Sequence, residues 1–314
     1  MNYFCPACKT LLFDNNNSAL HCSNINCKET SFIILGQCPV LFLSSSPFKN
    51  TIDQNFKTSF DSPDVKRHKY PRFFRSLASL IHGNNLITYQ NIASVLQRLT
   101  FNSKVLIIGG GSVGHGCEQI YKKSKALGID LYSLDVYASP SLNTLADAHV
   151  LPFPSNYFDL VIIQAVLEHL IDPIQAISEI YRVLDSEGIV YSEVPFMQSV
   201  HEGAFDFYRF SLSGHKHLFR KFDIIRAGVH HGPLEAVLFL SSHVIGLFST
   251  RYVRLLFHYS LIRLSRFFDN CFFRGSRACD VACGTFIIGQ KVPKFTPPSM
   301  SLSYIQSLYE GIQN

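Results

Sequence analysis

Residues 105–116 read Val105-Leu106-Ile107-Ile108-Gly109-Gly110-Gly111-Ser112-Val113-Gly114-His115-Gly116, and this stretch decides the fold. A short apolar run has the composition of a buried strand. The glycines after it let the backbone turn sharply, approach a nucleotide-like ligand closely and expose the amides of a helix N-terminus. A helix is predicted from about 114 to 127, with Gly128 placed to stop it. Working outward, 131–136, Phe158–Gln164 and 188–194 read as further strands, with 185–188 as the turn before the last. Pro173–Val183 fits a helix with proline in its first turn. This alternation predicts a parallel α/β sheet. Residues 222–227 and 282–290 read as strands flanking a helical stretch, 234–268, and such terminal strands pair readily in antiparallel fashion. Between 70 and 99 the apolar spacing predicts one or two amphipathic helices.

The chain has 314 residues, 47% hydrophobic and 16% charged, enough for one catalytic domain plus an accessory module and too apolar for disorder. A net charge of +5 without a concentrated Lys/Arg stripe argues against a dedicated nucleic-acid binder. Nine cysteines, an odd count without a secretory segment, argue against a disulfide framework and for a reducing, cytoplasmic setting.

Cys5-Pro6-Ala7-Cys8 and Cys22-Ser23-Asn24-Ile25-Asn26-Cys27 are two cysteine pairs separated by thirteen residues. Four soft ligands in paired knuckles suit tetrahedral structural Zn2+. A unit of this size cannot fold on its own hydrophobic core, so metal ligation supplies the missing stability. The tail Ser31-Phe32-Ile33-Ile34-Leu35-Gly36-Gln37-Cys38-Pro39-Val40-Leu41 resembles the "YPI-DGIPVLL" stretch of the small zinc-ribbon proteins that activate tRNA and protein methyltransferases. The second knuckle departs from that family, with four residues instead of two between its cysteines.

The glycine loop alone does not separate nucleotide-binding folds. Asp135 ends the second strand, where a carboxylate can accept both ribose hydroxyls. Then follows Ala146-Asp147-Ala148-His149-Val150-Leu151-Pro152-Phe153-Pro154-Ser155-Asn156-Tyr157-Phe158-Asp159-Leu160-Val161. This resembles the "DA-x-x-LPFP-x-x-x-FD-x-V" stretch of small-molecule class I S-adenosylmethionine (SAM) dependent methyltransferases. Gln164-Ala165-Val166-Leu167-Glu168-His169-Leu170, Ile171-Asp172-Pro173 and Glu179-Ile180-Tyr181-Arg182-Val183-Leu184 resemble the same family's "LEH-x-x-DP…E-x-x-RVL". The resemblance covers roughly residues 100–230, with weaker support to 290. It implies a Rossmann-like seven-stranded sheet, mostly parallel with an antiparallel last strand. It implies SAM as cofactor, held by Gly109, Gly110, Gly111, Gly114, Asp135, Asp147, Ala148, His149 and Gln164, with Asp147 on the adenine amino group. Two departures stand out. Ile107 occupies the place of the family's acid two residues before the first glycine. Only seven residues separate Asp135 from Asn143, so the usual second helix is expected to shrink to a loop.

Methyl transfer requires an aligned nucleophile and, for a hydroxyl, a base. Glu168 and His169 follow a strand and fall at the C-terminal edge of the sheet, beside the cofactor methyl. The run Val194-Pro195-Phe196-Met197-Gln198-Ser199-Val200-His201, followed by Asp206-Phe207-Tyr208-Arg209-Phe210-Ser211, resembles a bacterial methyltransferase subgroup that often accompanies glycan-assembly enzymes. The resemblance implies acceptor-side roles for His201, Asp206, Tyr208 and Arg209, with His169 beside them. For Arg209, a salt bridge to Asp206 that holds the loop is the competing reading. His215, His217, His230 and His231 show no clean metal spacing.

Residues 234–268 combine an apolar run with Arg251, Arg254, Arg263 and Arg266 interleaved among Leu and Phe. A lid packed on the catalytic domain, an in-plane membrane-surface helix and a homodimer interface all fit. The expected organisation is a zinc ribbon (1–43), a linker (44–70), the SAM-binding core (71–233), a helical insertion (234–270), the last strand (271–292) and a tail (293–314). The leading functional expectation is O-methylation of a carbohydrate, lipid-linked or other small acceptor, in the cytoplasm or peripheral to the inner face of the membrane. Two alternatives stay open: an RNA methyltransferase that uses the ribbon to bind substrate, and a non-catalytic partner-binding module.

Overall fold

A computed structural model describes residues 2–14, 19–49, 85–111, 116–139, 142–272, 276–293 and 301–309. The N-terminal segment forms a four-stranded antiparallel sheet in chain order: β1 (Leu12–Asp14), β2 (Ala19–Cys22), β3 (Ser31–Leu35) and β4 (Cys38–Pro39). Gly36 takes the left-handed conformation (φ 65°) in the two-residue turn that pairs Leu35 with Cys38. Leu12, Leu20 and Phe32 are buried in this sheet, and their cluster merges with that of the main sheet. The ribbon docks on the edge of that sheet. Val40 bridges Leu145, and the Leu41 amide donates to the Leu145 carbonyl at 2.7 Å. Lys9 Nζ reaches the Leu151 carbonyl at 2.9 Å. An otherwise open sheet edge is thereby covered.

The main sheet has seven strands: β5 (Lys104–Ile108), β6 (Asp130–Asp135), β7 (Thr144–Leu145), β8 (Phe158–Gln164), β9 (Leu184–Pro195), β10 (Phe222–His231) and β11 (Gly284–Lys291). Their order is β10-β11-β9-β8-β5-β6-β7. All neighbours from β9 to β7 are parallel, and β11 runs antiparallel between β10 and β9, as the sequence predicted. β8 is buried along nearly its whole length because helices cover both faces of a parallel sheet.

The helices begin and end on local signals. In α1 (Leu86–Leu96) the Asn85 side chain caps the amides of Ile87 and Thr88. α2 (Cys117–Leu127) stops at Gly128, left-handed at φ 62°. It starts three residues later than the pattern suggested, and 112–115 lie outside the described residues. α3 (Pro173–Val183) has Pro173 in its first turn and Asp172 as cap. α4 (Leu212–Leu218) is capped by Ser211, and α7 (Leu302–Tyr309) follows the sheet. The expected helical stretch after β10 is a hairpin of α5 (Pro233–Phe248) and α6 (Arg251–Phe272). No helix is described between β6 and β7, in agreement with the short connection.

One element differs from expectation. The turn expected at 185–188 is a bulge inside β9: Phe158 pairs with Leu184, but Leu160 pairs with Ile189. The residues keep their turn chemistry, with Asp185, Ser186 and Glu187 exposed and Asp185 Oδ1 accepting from the Ser186 amide at 2.8 Å, while β9 continues past them. The linker expected at 44–70 falls mostly outside the described residues, as does the start of the helical region expected from 70.

Candidate active site

The C-terminal ends of β5, β8 and β9 open onto a cleft of about 200 Å3. This is the edge at which open α/β sheets bind ligands. Ile107, Ile108 and Gly109 line it from β5, Gln164, Ala165 and Glu168 from the end of β8 and the turn after it, and Gln198 and His201 from the loop after β9. Glu193, His230 and His231 complete the wall.

At the β5 end the chain needs glycine. Gly109 has φ 79°, and a Cβ there would lie 2.2 Å from Val166 Cγ2. A Cβ on Gly111 would lie 2.5 Å from Asp135 Oδ2, to which the Gly111 amide donates at 3.0 Å. The amides of Gly109 and Gly110 both donate to the Leu134 carbonyl, folding the turn against β6. Asp135 therefore stands beside the glycine turn, its other oxygen accepting from the Tyr137 amide at 3.2 Å. Such a backbone cradle fits the close approach of SAM. Gly114 lies outside the described residues.

Asp147 follows β7, and its Oδ1 accepts from both the amide of His149 (2.9 Å) and the His149 ring Nδ1 (2.6 Å). That hydrogen bond raises the His149 pKa against the opposing effect of burial. His149 Nε2 accepts from the Asp172 amide at 3.2 Å, tying this turn to the start of α3. Ala148 is buried between them. The Leu151–Phe153 segment is pinned from α3: Arg182 donates to the carbonyls of Leu151 and Phe153, and Glu179 accepts from the Leu151 amide. Phe153 then packs edge-on against Tyr132 and Phe158.

A second cluster is built on the turn after β8. Ala165 is left-handed (φ 51°), a conformation that costs a non-glycine residue about 1 kcal/mol and that gathers at functional sites. The single 3-10 turn Leu167–His169 follows. Glu168 is fully buried, and neither of its carboxylate oxygens has a hydrogen bond among the described residues. Burial pushes its pKa up to about 8, against the opposing effects of its own backbone amide and the Arg209 charge. His169 donates from Nδ1 to the Phe205 carbonyl at 2.7 Å, which leaves Nε2 3.7 Å from Glu168 Oε1. The His201 ring stands edge-on to His169, centroids 5.2 Å apart. Burial lowers the His201 pKa, only partly countered by Asp206.

Asp206, Tyr208 and Arg209 form the frame around this cluster. Arg209 grips both oxygens of Asp206 and the carbonyls of Ser199 and Gln198. Asp206 also accepts from the His201 amide at 2.8 Å. Burial disfavours its ionisation, but these donors outweigh it and hold the carboxyl well below the usual range. Tyr208 Oη donates to the Ile171 carbonyl at 3.0 Å, fastening the loop to the turn before α3.

Glu193 was not among the expected site residues, although it directly precedes the Val194–His201 run. It lies on the cleft wall and accepts from Thr88, Tyr191 and, at 2.7 Å, Gln164 Nε2. Burial opposes its charge, yet His230 and these donors keep its pKa low. His231 Nδ1 lies 2.7 Å from Glu235 on α5, which Arg266 on α6 also contacts at 2.9 Å, so the helical hairpin is rooted in the cleft wall.

Away from the cleft, the Sγ atoms of Cys5, Cys8, Cys22 and Cys27 converge within 4.8 Å of one another, Cys5 to Cys27 at 3.7 Å and Cys8 to Cys22 at 3.4 Å. A tetrahedron with Zn–S arms of about 2.3 Å has edges of about 3.8 Å, so the four thiols fit a structural zinc ion.

Residues 108–192 match the family model described as a methyltransferase domain. The chain is 32% identical over 178 residues to the ubiquinone/menaquinone biosynthesis C-methyltransferase UbiE of Neisseria meningitidis, covering 50% of this chain and 73% of that enzyme. Among solved structures it is similar to phosphoethanolamine N-methyltransferase 2 of Haemonchus contortus (18% identity, TM-score 0.45), covering 75% of this chain and 60% of that one. It is also similar to a complex between the Haloferax volcanii Trm112 methyltransferase activator and a methyltransferase (16% identity, TM-score 0.42), covering 71% of this chain and 100% of that one. The chain belongs to the class I SAM-dependent methyltransferases. Within that class it stands with the small-molecule enzymes, and it carries a four-cysteine ribbon at its N-terminal end.

Proposed function

We propose that this protein O-methylates a small acceptor whose reacting group is a carbohydrate or lipid-linked hydroxyl. The observation that carries the reading is the meeting of Glu168, His169 and His201 at a cleft that Gly109, Glu168 and His201 line, with the buried carboxylate lacking a hydrogen-bond partner among the described residues. When bound, SAM supplies a methyl group already activated on a sulfonium sulfur. In this reading Gly109, Gly110, Gly111, Gly114, Asp135, Asp147, Ala148, His149 and Gln164 hold it. The acceptor oxygen forms its bond to the methyl carbon as the carbon–sulfur bond breaks, and the hydroxyl proton leaves to the Glu168–His169–His201 cluster. Asp206, Arg209 and Tyr208 orient the loop that carries His201. The test is methyl transfer from labelled SAM to a panel of hydroxylated acceptors, with NMR of the product. An O-methyl product supports the reading, a C-methyl product favours the chemistry in the name of the neisserial relatives, and activity confined to structured RNA overturns it.

A lipid-linked acceptor is favoured by the α5–α6 hairpin. Leu247 and Phe248 are 79% and 87% exposed at its tip, and Leu256 and Phe267 extend the apolar face along α6. No described helix is long and apolar enough to cross a membrane. In this reading the hairpin lies in the membrane interface. Co-sedimentation with anionic vesicles tests it. Concentration-dependent dimerisation without vesicle binding would assign the same face to a homodimer.

A further inference from the structure

The geometry points to a second metal site: Glu168, His169 and His201 bind a divalent cation at the acceptor end of the cleft. One ligand atom from each lies within 4.8 Å of the others. The set, two imidazoles and one carboxylate, is one that first-row divalent metals take while keeping open positions for substrate. Three features of the surroundings favour a cation. Glu168 is fully buried with both oxygens unpartnered among the described residues, a costly arrangement that a bound cation relieves. His169 already donates Nδ1–H to the Phe205 carbonyl at 2.7 Å, the outer contact that fixes a ligating histidine's tautomer and leaves Nε2 free. The Arg209 charge is matched by Asp206, so the Glu168 carboxylate is left to balance the cation. Neighbouring ligand atoms around an octahedral ion are about 3 Å apart for arms of about 2.1 Å. The 3.7 Å between His169 Nε2 and Glu168 Oε1 closes to that with a small side-chain adjustment.

The inference rests on the reading that an acceptor hydroxyl is activated at this cluster, and it changes only where the proton goes. A hydroxyl oxygen bound to the cation loses its proton to water at the cleft mouth, where His201 is exposed, and the metal-held alkoxide then attacks the methyl carbon as the carbon–sulfur bond breaks. The open coordination positions select acceptors that chelate, with a hydroxyl beside a second oxygen donor, as in a vicinal diol or hydroxy acid.

The experiment is Mn2+ binding to the full chain, read by loss of the free Mn2+ EPR signal and by calorimetry, alongside SAM affinity and methyl transfer before and after chelation. The expected result is one Mn2+ per chain, with affinity at least about tenfold lower in both Glu168→Gln and His201→Gln and with SAM affinity unchanged. The Gln variants keep side-chain volume, and retained SAM binding reports that they fold. Absence of Mn2+ binding, or equal binding by wild type and both variants, overturns the site. If Mn2+ is not bound and chelation leaves O-methylation intact, the metal site fails while the proposed function stands. If Mn2+ binds through these residues but no hydroxyl acceptor is methylated, the site stands and the proposed function fails.

Discussion

The rings of His169 and His201 meet edge to face at 5.2 Å, although thirty-two positions separate them in the chain. Two loops make the meeting. One leaves β8 through the left-handed Ala165, and the other leaves β9 and is held down by Arg209. The main-chain carbonyl of Glu168 joins them by accepting from the amides of Phe207 and Tyr208.

If this pair serves the reaction, His201→Ala and His169→Ala each lower the rate of methyl transfer by about 10²–10⁴-fold, the usual contribution of a positioned acid–base group. SAM affinity measured by calorimetry stays within about twofold of wild type, because the glycine turn is untouched. A parallel loss of SAM affinity would instead mean that the pair supports the cofactor end of the cleft.

If Asp135 holds the ribose as proposed, Asp135→Ala weakens SAM binding by about 10–100-fold, the value of charged hydrogen bonds. Its removal also frees the Gly111 and Tyr137 amides that the carboxylate now holds. Titration calorimetry checks the affinity, and unchanged binding would show that the ribose is held elsewhere.

The ribbon shares its apolar cluster with the main sheet, so zinc loss destabilises more than the first forty residues. Cys8→Ser is expected to reduce the bound zinc from one equivalent toward zero by metal analysis. The thermal midpoint falls by about 5 °C or more, since structural zinc binding is folding free energy. A variant that lost zinc but kept its melting temperature would reduce the ribbon to an independent appendage.

Glu235 anchors the helical hairpin through His231 and Arg266, and removing one partner of a buried ion pair costs about 3–5 kcal/mol. Urea denaturation of Glu235→Ala reads that loss. Burial resists ionisation of Glu235, but His231 and Arg266 outweigh it and hold the carboxyl far below the usual value. Because the folded pKa lies below the unfolded one, the stabilisation is complete above about pH 4.5 and is lost as pH falls through the acid range. The wild type should therefore show a steeper acid limb than the variant, and superimposable limbs would remove Glu235 from the account.

The local patterns carried the fold. Apolar runs of strand length, Pro173, Gly128 and the glycine turn each act through a few neighbouring residues, so β5, β8, α3 and the stop of α2 could be read in one dimension. The four cysteines were as plain, because ligand chemistry restricts their spacing. The bulge at 185–188 was not, since polar turn residues look the same whether the chain reverses or merely loops out of a continuing strand.

The sequence by itself determined a SAM-dependent methyltransferase sheet with a cysteine ribbon, and it named Asp135, Asp147 and the glycine turn as candidates for the cofactor. Only the tertiary structure decided what surrounds Glu168: complete burial, with two histidines from different loops beside it. It also placed Glu193 on the cleft wall and rooted the α5–α6 hairpin at His231. Periodicity and spacing report on neighbours along the chain. Burial and charge balance at a site depend on atoms that only the folded chain brings together, and these set the chemistry of the Glu168 carboxylate.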